Sequence, residues 1–396
     1  MAARADLPPA VAALVQTGGE LLRRAPSARL AIARLDGLID LDALPPELAA
    51  AARDEVRAAR ESVAVELDRK TVEQILKSAW GRPVGKVLDA FDPSPLAVTP
   101  AGQVHRGELD DGTAVAVKVR RPGVERSVRN DLALLDVVAG PLGAAFPRLD
   151  AGAVLRDVRE QALDELDFEH EASTLRRLSR ALRGVEGVEV PRPELELSTP
   201  EVLVTTLLRG ETLASGARPS DPSGAARAVV GAFRAAVFDA GLAPYDLRAT
   251  HVLVGGRGGS VGLLGLGVSR PIDKARAEAG LRGLVALAGA DEAGVARVAV
   301  DELGVLPDAG VAGEAASSLR EVAGPLAGAS GPVTLDADAL LGALDRARLA
   351  APRLLRLAGQ ATPQAADIVL ARMLGQLVAV LSRLEATEDW PAVAAG

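Results

Sequence analysis

The chain has 396 residues, of which 48% are hydrophobic but only 2% aromatic, with a formal net charge of −8 and no cysteine. That length supports two or three packed units with a sizeable core, and the scarcity of aromatics leaves the packing to Ala, Leu and Val, which favours a mostly helical chain. The acidic balance argues against a nucleic-acid binder, which needs clustered Lys and Arg, and the lack of cysteine excludes disulfides, thiolate zinc sites and cysteine nucleophiles.

In chain order, MAARADLPPAVAALV carries charge and prolines where a secretion signal needs an unbroken apolar run, so a cytoplasmic location is expected. Residues 45–88 read as helices: PPELAAAARDEVRAARESVAVEL opens with prolines, and TVEQILKSAWG opens with Thr and stops at Gly. Together with what precedes them they form an N-terminal helical extension, assigned to 1–90. From Phe91 the texture changes. QVHRGEL and TAVAVKV, joined by DDG, predict a hairpin in a small antiparallel sheet. RPGVERSVRNDLALLDVV and AVLRDVREQALDELDFEHEASTLRRLSRAL have helical periodicity, and VEVPRPELELSTPEVLVTTLLRG returns to short strands, closing a unit over 91–213.

The remaining unit, 214–396, opens with the helix SGAARAVVGAFRAAVFDAG, stopped by Gly241. GGRGGS resembles a phosphate-cradling loop, but it joins two short strands instead of opening a helix, which favours a hairpin turn. Everything beyond is expected to be helical. The apolar stretch DIVLARMLGQLVAVLSRL is interrupted by Arg372 and falls short of about 20 clean apolar residues, so it reads as a packed helix and not as a membrane span.

Three places carry candidate chemistry. Lys118, among the apolar residues of VAVKV, is costly to bury unless an acid or a phosphate meets it; a solvent-facing strand lysine is the alternative. In DELDFEHEA, Asp164, Asp167 and Glu171 fall at i, i+3 and i+7 of one helical face, with Glu165 on another, so that the helix could offer Lys118 a partner or present a solvated acidic face. In GLAPYDLRATHVLV, Asp246 is followed five residues later by His251 and then by an apolar strand, the rhythm of a kinase catalytic loop with the metal ligand replaced.

The motifs LPPEL (44–48), WGRPVGKVLDAFDPSPLAV (80–98), QVHRGELDDGTAVAVKVRRPGV (103–124), ELDFEHEA (165–172), VEVPRPE, VLVTTLLRG and the Asp246 loop, in this order, resemble the UbiB and AarF atypical kinases, which are implicated in isoprenoid quinone biosynthesis. The resemblance implies an α+β, predominantly helical, protein-kinase-like fold of two lobes: a small antiparallel sheet in the N-lobe and a helical C-lobe. It further implies that Lys118 pairs with Glu171 beside the nucleotide phosphates, that Glu165 and Asp167 are the family's E-x-D pair, and that Asp246 is the catalytic acid. ATP or ADP is the implied ligand, held weakly, and a protein or isoprenoid lipid is the implied partner, with peripheral membrane contact through the Ala- and Leu-rich helices near the ends.

Departures from the family pattern count against magnesium. His251 stands where the family has the Asn ligand, and Gly265, Leu266 and Gly267 stand where it has Asp-Phe-Gly. Imidazole is a poor ligand for this hard cation and glycine offers none. The family's K-x-G-Q falls on IARL at Ile32 to Leu35. Its phosphate loop reads AVTPAG, with Pro100 lacking an N–H, and Thr206 replaces an acid near the expected adenine. His105 is expected to be a hydrogen-bonded structural residue and His170 a surface residue, and no transition-metal or Ser-His-Asp site is recognisable. Three readings follow: a pseudokinase with a binding or regulatory role, an active atypical ATPase or kinase using Lys118, Glu171 and Asp246, or a Lys118–Glu171 ion pair that is purely structural.

Overall fold

The computed structural model describes residue 13 and residues 65–395 apart from 100, 134, 135 and 330; positions 32–35, most of the N-terminal extension and Pro100 lie outside the described residues. Alternation along AVAVKVR sorts strand β3 (Ala114–Arg120) into two faces. Val115, Val117 and Val119 are buried, while Ala116, Lys118 and Arg120 lie half-buried on the other side. β3 sits between β2 (Gly102–Glu108) and β5 (Val202–Thr206), with β1 (Ala90–Val98) at the edge beyond β2, all antiparallel. The expected hairpin is present, in register from Gly102–Arg120 to Glu108–Ala114.

Helix α1 (Arg69–Trp80) covers the valine face with Val72 and Leu76. Its ends follow from sequence: the Asp68 side chain accepts the Thr71 N–H, and Gly81 takes the left-handed conformation (φ 67°) that stops it. Three further helices, α2 (Val124–Ala133), α3 (Asp136–Ala145) and α4 (Ala151–Asp164), lead to α5 (Phe168–Ala181). Phe168 and Ala172 of α5 pack with Leu203 of β5, the strand neighbour directly opposite Lys118.

The acidic stretch corrects the sequence reading. The helix does not run through DELDFEHEA: α4 ends at Asp164, and Asp167 caps α5 by accepting the Glu169 and His170 N–H groups. Asp164, Asp167 and Glu171 therefore do not share a helical face. An Asp that can bond the backbone ahead of it competes with helix continuation, and here it won.

The second core is Ala- and Val-rich. It gathers α6 (Pro222–Arg234), the π turn Ala235–Asp239 that extends it, Leu175 and Leu178 of α5, and Met373, Leu377 and Val380 of α11 (Ala365–Leu384). A second sheet has the order β4 (Val188–Glu189), β9 (Val261–Leu263), β8 (Val252–Val254), β6 (Glu211–Thr212). β4 and β6 thus hydrogen-bond with strands from beyond residue 213. β8 and β9 are antiparallel neighbours joined through the glycine-rich segment, as a hairpin turn requires. β7 (Leu242–Pro244) pairs with β10 (Ser269–Pro271) beside them.

Helices α7 (Lys274–Ala288), α8 (Glu292–Arg297), α9 (Ala309–Ala323), α10 (Ala337–Ala358) and α12 (Trp390–Ala395) complete the large lobe. The pairing of β11 (Val333–Leu335) with β12 (Ala386–Glu388) departs from the wholly helical expectation for this region. α11 is long and apolar enough to cross a membrane by length and composition, and nine of its side chains are buried against the rest of the protein.

Candidate functional site

Lys118 reaches from the half-buried face of β3 to α5. Its Nζ lies 2.7 Å from Glu171 Oε2 and 4.3 Å from the centre of the Phe168 ring. Residual side-chain exposure is 26% for the lysine and 11% for the glutamate, so the pair lies at the rim of the small lobe, shielded but not sealed. Carboxylate and ring together meet the charge that the strand presents. Lys118 is therefore neither a solvent-facing strand residue nor a buried cation without a partner.

Asp246 sits on the loop between β7 and β8. Its Oδ2 is 3.1 Å from an Nη2 of Arg248, and that same nitrogen lies 3.2 Å from His251 Nε2. His251 Nδ1 is 2.6 Å from the Asp246 main-chain oxygen. A carbonyl only accepts and a guanidinium only donates, so the ring carries its hydrogen on Nδ1 and spends the Nε2 lone pair on Arg248. The hydrogen bonds thus describe a neutral imidazole, and burial pushes its pKa in the same direction, down.

The turn Gly265–Gly267 bridges the two clusters. A Cβ at 265 would stand 2.6 Å from both the Asp246 carbonyl oxygen and His251 Nδ1, while one at 267 would stand 2.6 Å from Glu171 Cγ. Leu266 between them is buried in the large-lobe core. Glycine is therefore required at both positions by close approach, and the space an aspartate would need at 265 is filled by backbone and imidazole.

Magnesium, which the kinase pattern implies, does not fit these residues. The Asp246 carboxylate is engaged by Arg248, and both nitrogens of His251 are committed. Among the described residues no three His, Cys, Asp or Glu side chains are grouped so as to hold a metal. The loop before β2 is also closed on itself: the Thr99 N–H donates to the Gly102 carbonyl and the Gly102 N–H to the Thr99 carbonyl, while the Arg121 N–H is taken by Ala101. These amides are not presented to a phosphate.

The other acids have separate tasks. Glu165 accepts the Tyr245 hydroxyl at 3.3 Å, and burial raises the pKa of that phenol. Asp164 joins Asp157 in binding Arg270 of β10, at 2.8 and 2.7 Å, which ties α4 to the large lobe. Asp167 is spent on the α5 cap. His105 is fully buried, with Nδ1 3.0 Å from the Asp92 carbonyl and Nε2 2.9 Å from Gln103 Nε2, whose amide oxygen accepts the Leu67 N–H. This network makes the Q-V-H motif an architectural one. His170 is exposed on α5. Thr206 ends β5, where its hydroxyl accepts the Arg192 N–H.

Three site residues escaped the sequence reading. Arg248, between Asp246 and His251, has no spacing signal of its own. Arg372 and Gln376 lie four apart on α11: the Arg372 guanidinium sits 4.9 Å from the Tyr245 ring centre, and Gln376 Oε1 accepts the Leu247 N–H. Polar side chains at i and i+4 of an apolar helix were the available signal.

Comparison with known proteins bears on family and fold. Residues 60–299 match the ABC1 atypical kinase-like domain model. An AarF domain-containing protein kinase 1 of Xenopus laevis is 30% identical over 139 residues, 35% of this chain and 27% of that protein. A probable protein kinase UbiB of Pseudomonas putida (strain W619) is 34% identical over 172 residues, 43% of this chain and 31% of the relative. The chain thus aligns with less than a third of the length of either relative. The Mycobacterium tuberculosis protein Rv3197, solved with erythromycin, superposes with a TM-score of 0.58 at 20% identity, covering 85% of this chain and 84% of that one, which shows a shared fold. With the lysine–glutamate pair, the loop aspartate and a family match over more than half its length, the chain belongs to the ABC1 atypical kinase-like domain family.

Proposed function

We propose that this protein is a pseudokinase: a kinase-shaped binding or regulatory protein that does not transfer phosphoryl groups at a useful rate. The observation that carries the reading is the Asp246 carboxylate, held by Arg248 in a loop where His251 and Gly265 stand in the metal-ligand positions. Phosphoryl transfer depends on metal neutralising the phosphate chain, so losing both ligands costs on the order of several kcal/mol of transition-state stabilisation. By analogy with the relatives named UbiB, the reading extends to a role in isoprenoid quinone or lipid metabolism, with a lipid or a protein as partner.

The test is phosphate release from ATP by the full chain with magnesium or manganese. Release at the level of the protein-free control, unaltered by Asp246→Asn, is expected. A rate that Asp246→Asn abolishes would overturn the proposal. One observation favours a second reading as an active ATPase: the Lys118–Glu171 distance of 2.7 Å is the pairing a working kinase needs. The same assay decides between the two.

A further inference from the structure

The family's cation-binding apparatus has not simply been deleted, because Arg248 stands against the acid the metal would be expected to approach. Its Nη2 is shared by Asp246 and His251, its Nε is enclosed and has no hydrogen-bond partner, and the side chain keeps 29% of its surface exposed. A guanidinium has five N–H donors in a planar fork, more than these two partners use. Lys118 stands across the Gly265–Gly267 turn, its partner Glu171 lying against Gly267 while Asp246 and His251 lie against Gly265.

Two side-chain cations thus flank one small turn, each braced by one carboxylate. Lysine braced by glutamate is the arrangement with which kinases touch phosphates, and Arg248 braced by Asp246 repeats it with a group better shaped for a phosphate's oxygens. A divalent cation approaching Asp246 would have to share the carboxylate with the Arg248 guanidinium, whose positive charge opposes it. The closed Thr99–Gly102 loop contributes neither of its flanking amides, which leaves side-chain charge to hold an anion.

We propose that Lys118 and Arg248, on either side of the Gly265–Gly267 turn, bind the phosphate chain of a nucleoside polyphosphate without a divalent cation and supply its counter-charge. The inference deepens the pseudokinase reading and rests on it, since turnover would need at Asp246 the metal that the inference does without. Isothermal titration of the full chain with ATP, ADP and inorganic tripolyphosphate, each in EDTA and in magnesium, tests it. Expected is binding in EDTA as strong as in magnesium, retention of tripolyphosphate, a loss of about tenfold or more in Arg248→Ala, and a smaller loss in Arg248→Lys. Melting curves of both variants verify that they remain folded.

Binding that requires magnesium, an absence of binding in EDTA, or an Arg248→Ala protein that binds like the wild type would each overturn it. Phosphate release, measured in the same samples, keeps the two failures apart. Turnover sinks the pseudokinase reading, whereas metal-dependent binding without turnover sinks only this inference.

Discussion

The small-lobe face at Lys118 and the loop at Asp246 each hold an acid–base pair beside the Gly265–Gly267 turn, yet the two pairs are built in different ways. Lys118 and Glu171 form a direct ion pair at 2.7 Å, while the Asp246 carboxylate is held by Arg248, which also meets a neutral His251. The difference follows from what each group holds up. Glu171 lies under Gly267 and beside the Phe168 packing, so losing it damages the joint between sheet and α5. The side chains of Asp246, Arg248 and His251, by contrast, bond chiefly within their own loop.

Four perturbations test that contrast. The largest expected effect is from Gly265→Asp, which would seem to restore a ligand: its Cβ meets the Asp246 carbonyl and His251, so a loss of about 3 kcal/mol is expected by urea unfolding, with no magnesium-dependent turnover gained. Glu171→Ala is next, at about 2 kcal/mol, because it leaves the shielded Lys118 ammonium without its carboxylate; the partial exposure of the pair keeps the value below that of a fully buried one. Arg248→Ala should cost about 1 kcal/mol or less, and if it cost more than Glu171→Ala, the division between architectural and dispensable pairs would be reversed.

The smallest effect is a pH dependence. Burial holds the pKa of both His105 and His251 below the ordinary histidine value. The unfolded chain therefore takes up protons first, and stability should decline as pH falls below about 6.5. His105→Gln and His251→Asn should each flatten that decline in urea midpoints measured from pH 7.5 to 5.0. A His251→Asn protein with an unchanged slope would show that the pKa of this ring is the same in the folded and unfolded chain, against the downward shift assigned to burial.

Legibility in the sequence depended on whether a residue's task was local. The β2–β3 hairpin was readable because alternation and a two-acid glycine turn lie within 19 residues of each other. β1 was not, because Pro93 and Pro95 speak against a strand and only its edge position, with irregular register around Pro95, tolerates them. The acidic stretch was read as one helix because periodicity cannot distinguish a helix that continues from one that stops and restarts at an Asp cap. Lys118, Glu171 and Asp246 were legible from local pattern, and motif resemblance supplied the roles they are expected to play. Arg248, Arg372 and Gln376 were not, since their meaning depends on which distant loop or helix lies opposite.

That last dependence bears on where the cooperative unit ends. The family match stops at residue 299, but Gln376 holds the main chain of the Asp246 loop, and Arg372 sits over Tyr245 one residue before that acid. Inherited likeness and mechanical completeness thus have different borders. A chain shortened to the matched span would carry Lys118, Glu171 and Asp246 and lack the brace that fixes the last of them, so the smallest portion able to hold the Asp246 loop in place extends into α11.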